Sequence, residues 1–264
     1  MNFTTYDIEL ISTVLALLAG VGSICLHRMI LKTTFLTLKE SISNVVIFLV
    51  WRFVFFSTGA AFQLAIFSFL HQFSLIHIET GPLNFAICLI VMDCAYYWKH
   101  RWEHQFGFLW AQHAVHHSSK EFNFTTSLRL PWVGSYINWI AFAFVTLIGF
   151  DPLHIVLSYK LILAYQYLVH TELVPKLRIL EKVLNTPSNH RVHHGRNKQY
   201  IDKNFGGILI VWDILFGTYE PEGEKVEFGT TVPIESTNPF VINFRPWVEY
   251  FRSIRIKLFS PGKI

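Results

Sequence analysis

Apolar residues gather in five stretches, roughly 8–26, 45–70, 83–98, 132–150 and 152–169. Each is close to the ~20 residues that a membrane-spanning helix needs, the third being the shortest. The first, IELISTVLALLAGVGSICL, has no basic residue just ahead of it and only Asp7 and Glu9 nearby, so it reads as a retained anchor rather than a signal peptide. Beyond His170 the pattern becomes mixed, with a turn-rich Pro221-Glu222-Gly223-Glu224 and a late amphipathic segment, FRPWVEYFRSIRIKLF, that alternates aromatics with bases. That segment suits either the headgroup layer of a bilayer or a helix packed on the domain before it. The chain shows no repeat of fixed period and no low-complexity segment.

Composition strengthens the membrane reading. Hydrophobic residues make up 52% of the chain against 15% charged, and 25 residues are Phe, more apolar surface than a soluble domain can hide. A net charge of +4 raises the question of nucleic acid, but the bases follow topology: residues 27–44, 99–130 and 170–264 hold 20 of the 22 Lys and Arg. Those three regions are expected on the cytoplasmic side, with the N-terminus outside and no nucleic-acid partner. Arg52 and Lys160 fall inside spans, where snorkelling or helix pairing accounts for them. Cys25, Cys88 and Cys94 form no CxxC pair and read as small buried hydrophobes. The expected fold is all-α: about five polytopic membrane helices capped by a cytoplasmic, helical, histidine-rich metal domain. Its parts would be N-terminal spans over 1–82, a catalytic unit over 83–230 and an amphipathic tail over 231–264.

Nine of the 13 histidines cluster: His100 and His104 in HRWEH, His113, His116 and His117 in HAVHH, His170 in HTE, and His190, His193 and His194 in HRVHH. Residues at i, i+3 and i+4 share one face of a helix, so each cluster is expected to aim its imidazoles at a common point. With histidine at about one residue in 20, HxxHH arises by chance roughly 0.03 times in such a length, and here it occurs twice. His27, His71, His77 and His154 stand alone and read as ordinary core or surface histidines.

One zinc ion takes three or four ligands, so nine imidazoles overfill a single site. Two six-coordinate metals fit the count and leave about three positions for oxygen, water or a bridge. Soluble di-iron bundles use carboxylates, which are nearly absent from these positions. A redox-active iron pair would activate O2, as attack on an unactivated C–H bond demands and zinc cannot provide. The clusters sit at the cytoplasmic ends of the third and fifth spans, where a lipid chain can reach them. Asp93, Glu103, Glu172, Asp202 and Asp213 are the acids placed to accept the second N–H of a ligand imidazole. A non-enzymatic metal-binding membrane protein is the alternative from another class; a transporter would put its ligands at mid-membrane instead.

The segments DCAYYWKHRWEH, WAQHAVHHSSKEFNFTTSLR, LVHTELVP and NTPSNHRVHHGRNKQYIDKNFGGILIVWDILFGTYEPE resemble the fatty acid hydroxylase and sterol desaturase superfamily, and within it the alkylglycerol monooxygenase branch, over about residues 88–230. The resemblance implies two Fe ions on a membrane-helix scaffold, O2 as co-substrate, a lipid substrate and an electron donor, tetrahydrobiopterin in that branch. Carried over by motif, the ligands are His100, His104, His113, His116, His117, His190, His193 and His194, with His170, outside any box, as a ninth. Hydroxylation of an ether lipid or fatty-acyl chain leads, and sterol- or carotenoid-type oxidation or desaturation follows. Two positions depart from the branch: Gln105 stands where its pattern continues with Glu, and Asn189 where it has His.

Overall fold

The computed structural model describes residues 35–259, together with Gly22. Apart from Gly22 the first apolar stretch lies outside the described residues, as do Cys25 and His27. Within them the chain is helical, with no strand and two isolated antiparallel bridges, Leu184 to Leu209 and Gly195 to Phe228.

The order is α1 (Phe35–Val50), a π-helical turn (Trp51–Phe56), α2 (Ser57–His71), α3 (Pro82–Gln105), α4 (Gly107–His117), short α5 (Gly134–Ile137) and α6 (Ala143–Ile148), α7 (Pro152–Val169), α8 (Pro187–His193), α9 (Val211–Phe216) and α10 (Pro239–Phe259). Local sequence sets the helix starts. Pro82, Pro152 and Pro187 each occupy a first-turn position, where a missing N–H costs nothing. Asp151 caps α7 by accepting from the amides of Leu153 (2.8 Å) and His154 (3.3 Å), and Thr186 caps α8 by accepting from Asn189 (3.3 Å).

The apolar stretches differ from five uninterrupted spans. The second is a bent pair, Leu38–Val54 and Thr58–His71, broken by 54° at the π-helical turn. The fourth is divided into α5, a 3-10 turn over Asn138–Phe142 and α6. Among the described residues no single helix is long and apolar enough to cross a membrane, whereas the bent pair is, by length and composition. The third stretch runs on as α3 into the polar HRWEH, which carries the first histidines directly off the apolar part of the helix.

Helices α3 and α7 lie side by side and share the main core, in which Met92, Cys88, Val145, Ile155 and Ile162 are wholly buried. Each large aliphatic side chain there contributes roughly 1.5–3 kcal/mol of burial. A second core joins Ile47, Val115, Trp132, Ile234 and Ile242, and through it α10 packs on α1 and α4. The late amphipathic segment is therefore a helix docked on the histidine-rich unit by one face.

Asp93 ties α3 to the loop before α9. Its carboxylate accepts from the amides of Ile208 (2.6 Å) and Leu209 (3.1 Å) and from the Trp212 indole (2.9 Å). That approach needs glycine at 207, because a Cβ there would collide with Asp93 Oδ1 and press on Ile162 and Tyr96.

Candidate metal centre

The end of α3 and all of α4 form a tight reversal. The chain turns at Phe106, whose backbone is extended, and Gly107 starts the next helix at once. His113 and His117 are thereby folded back against His100 and His104. His170 follows the last residue of α7 as its C-terminal cap, and α8 supplies His190 and His193, with His194 as its own cap.

The nine imidazoles form two groups. His100, His104, His113, His117 and His193 present one ligand atom each, all within 4.8 Å of one another, and so do His116, His170, His190 and His194. The expectation that each histidine cluster converges on one point is corrected here: both HxxHH clusters are split. At about 100° per residue, i and i+4 stand about 40° apart on a helix while i+3 lies about 60° away on the other side. His113 and His117 accordingly face the first group and His116 the second, whereas His190 and His194 face the second and His193 the first. Each of α4 and α8 thus bridges the two groups. They share a wall in which His117 stacks on His194 at 4.3 Å between ring centres.

Within the first group the Nε2 atoms of His100 and His113 lie 3.0 Å apart, those of His113 and His117 3.0 Å and those of His104 and His117 3.3 Å. In the second group the corresponding separations are 3.2 Å for His116 and His170, 3.1 Å for His170 and His190 and 3.2 Å for His190 and His194. Nitrogens at about 2.1 Å from one ion and at right angles to each other would stand about 3.0 Å apart, so these separations match the edges that a coordination polyhedron would need. The outer nitrogens are anchored: Nδ1 of His100 to the Phe205 carbonyl (2.9 Å), of His193 to the Lys203 carbonyl (2.9 Å) and of His170 to the Gln166 carbonyl (2.6 Å). A carbonyl can only accept, so each of these rings carries its proton on Nδ1 and turns the Nε2 lone pair inward. The buried Nε2 of His193 has no hydrogen-bond partner, as a metal-ligating nitrogen would not.

Burial, followed by mutual repulsion among the rings, holds His100, His113, His117, His190 and His194 well below the usual imidazole range. Burial likewise lowers His116, His193 and His170, the last to about 4. They are neutral imidazoles at neutral pH, and two divalent ions among them would keep nearly their full charge. The residues fit a metal pair in number, spacing, tautomer and protonation.

The acids separate by position. Glu103 Oε2 lies 3.3 Å from His113 Nδ1, and its carboxylate is held by Lys99 (2.8 Å) and Gln112 (2.7 Å). Asp202 Oδ1 lies 3.3 Å from His104 Nδ1. Asp213 acts one peptide further out: it accepts from the amides of Phe205 and Gly206, both at 2.7 Å, and so fixes the carbonyl that holds His100. Burial raises Asp213 to about 6. Asp93 braces the loop described above rather than an imidazole, and Glu172 lines a charged cavity with Lys120, Glu121, Arg196 and Lys225. Gln105 is exposed at the end of α3, outside both groups, and Asn189 is a buried brace donating to the carbonyls of Glu181 (3.0 Å) and Leu184 (3.1 Å). His154 packs edge-on against Phe85, and His71 against His77, away from both groups.

Several supporting residues carry no signal that clustering of ligands would reveal. Phe205 sets its ring against His100, His104 and His193, Phe122 stacks on His170, and Trp110 covers His104 and His117. Asn204, wholly buried with φ +57°, sits between the two carbonyls that orient His193 and His100. Asn is among the few residues that adopt that conformation readily, the one hint the sequence offers.

A family model described as fatty acid hydroxylase matches residues 85–218, which include all nine histidines. Similar proteins include alkylglycerol monooxygenase of Homo sapiens, 42% identical over 62% of this chain and 37% of that protein, and its namesake in Caenorhabditis elegans, 43% identical over 54% and 28%. Ornithine lipid hydroxylase OlsE of Rhizobium tropici is 27% identical over 58% of this chain and 48% of its own. The match thus spans 37% of the human alkylglycerol monooxygenase and 28% of the worm protein. No solved structure matches.

Proposed function

We propose, from the premise that this chain belongs to the fatty acid hydroxylase family, that it is an O2-dependent lipid monooxygenase whose nine histidines hold two iron ions. The observation that carries the reading is the pair of nitrogen-only groups sharing one wall, His100, His104, His113, His117 and His193 against His116, His170, His190 and His194. Iron bound there would supply the redox chemistry needed to insert oxygen into a C–H bond, which zinc lacks. The chain's own contribution is to orient and to exclude water. The carbonyls of Phe205, Lys203 and Gln166 fix three ring tautomers, and Phe205, Phe122 and Trp110 form apolar walls around the rings.

The relatives, named for action on alkylglycerols and on an ornithine lipid, favour an ether lipid or fatty-acyl chain as substrate. A separate electron donor, tetrahydrobiopterin or another, would complete the reaction. Multi-pass insertion, with the histidines at the cytoplasmic side, is supported by the distribution of Lys and Arg and by the exposed Phe69, Leu83, Ile90, Leu161 and Leu168 on α2, α3 and α7. On this reading residues 83–230 are the catalytic unit, between N-terminal spans (1–82) and a C-terminal amphipathic tail (231–264). Comparative lipidomics of a deletion strain and its complemented partner tests the reading: one lipid class should gain an oxygen or lose its alkyl chain only when the intact gene is present. Indistinguishable lipid profiles, with the protein expressed, would argue against it.

A further inference from the structure

Between α4 and α10 runs a groove of about 280 Å3, at the lower edge of ligand-pocket size. Trp110, Ala111 and Ala114 of α4 form its floor, Pro246 and Tyr250 of α10 its roof, and Val232 part of its side. Trp110 is shared with the metal centre, its ring centre lying 5.0 Å from that of His104 and 5.7 Å from that of His117. One side chain therefore separates the groove from the first histidine group.

We propose that this groove seats a single hydrocarbon chain of the lipid substrate, with Trp110 as its inner stop; the assignment rests on the lipid monooxygenase reading. Three observations favour that occupant. Three of the five polar side chains that line the groove are engaged elsewhere: the Ser253 hydroxyl donates to the Tyr250 carbonyl (2.7 Å), Thr230 donates to the Val232 carbonyl (2.7 Å), and Glu249 is paired with Arg245 (2.8 Å). Its roof also has a second apolar face. Phe240, Phe244, Val248 and Phe251 recur along the outer side of α10 at exposures of 62%, 47%, 64% and 57%, with Arg252 and Arg255 beside them. An amphipathic helix with aromatics and arginines outward lies in a lipid interface, which brings the groove to the level of the acyl chains. Finally, the cavity beside the second histidine group sets six charged side chains, from Lys120 and Glu121 to Lys225 and Glu227, around Phe122, Val226 and Phe228, and burying hydrocarbon there would strip water from those charges. Of these two cavities the α4–α10 groove is the less charged, with Glu249 as its one charged lining residue against six in the other.

The test uses the full chain in membranes and a long-chain alkylglycerol carrying a diazirine near the chain end. Photolabelled peptides should map to 107–114 and 246–253. Ser253→Trp, which fills the exposed edge of the groove, should lower that labelling about tenfold, the equivalent of losing two buried methylenes, and move the oxidised products toward shorter chains while iron content is unchanged. Labelling confined to the Lys120–Phe228 cavity or to α3 and α7, or labelling indifferent to Ser253→Trp, would overturn the groove while leaving the monooxygenase reading intact. Labelling of the groove without any lipid oxidation would sustain the hydrocarbon site and remove the monooxygenase reading.

Discussion

Replacing Asn204 by Ala should damage one half of the metal centre from a position that touches no proposed ligand. The Asn204 amide donates to the carbonyls of Asn189 (3.0 Å) and Glu220 (2.8 Å), and its oxygen accepts from the Glu220 amide (2.9 Å). Three buried hydrogen bonds at about 1 kcal/mol each, with about 1 kcal/mol more for placing Ala in a left-handed conformation, sum to roughly 4 kcal/mol. For a chain of this size that is a fall of about 10 °C in melting midpoint. Asn204→Gly keeps the backbone at ease and loses only the hydrogen bonds, so it should melt a few degrees above Asn204→Ala. Because the carbonyls on either side orient His193 and His100, the same variant should shed iron from the first histidine group before the second. Differential scanning calorimetry of detergent-solubilised protein, paired with iron analysis of the same samples, reads both effects. A midpoint within a degree or two of the parent, or iron lost equally from both groups, would refute this account of the loop.

Three further outcomes follow from the same geometry. His116→Ala and His193→Ala should each lower lipid oxidation by at least about 100-fold, whereas His154→Ala, whose ring packs on Phe85, should be neutral; equal tolerance at all three would contradict the ligand assignment. In the metal-free protein burial holds His170 at about 4, below the usual imidazole value of 6.5, so its contribution to stability is complete above about pH 6.5 and is lost as pH falls toward 4. That difference is worth about 3 kcal/mol, the other lowered histidines act in the same direction, and a melting midpoint flat across the window would be the contrary result. Glu222→Ala leaves Arg191 half-stranded after removal of its two-pronged partner (2.8 and 2.7 Å) and should cost about 3 kcal/mol, with Arg191→Met added on top recovering part of the loss; a silent Glu222→Ala would show the pair to be dispensable.

The histidines were legible in the sequence because helical spacing is enough to put ligands on one face, and HRWEH does lie on one face of α3. The partition between two groups was not, since it depends on the orientation of α4 and α8 relative to each other, which makes His116 and His193 cross over. Acid candidates were harder to rank. Glu103 and Asp202 reach an imidazole, but Asp93, conspicuous as a charge in an apolar stretch, is consumed by backbone amides across 115 residues of sequence separation. Gln105 looked consequential beside HRWEH, and one residue of helical rotation past His104 points it to solvent. The bend between α1 and α2 and the division of residues 132–150 likewise come from packing, because hydropathy alone does not mark where a continuous apolar run will break.

Metal stoichiometry decides whether the nine histidines form a two-metal centre. Protein expressed in iron-replete medium and purified without chelators should carry two iron ions per chain, with X-ray absorption reporting nitrogen-dominated coordination and an iron–iron vector. His116→Ala and His104→Ala should each bring the content toward one. A single tightly held zinc, unchanged by either substitution, would contradict the two-metal centre.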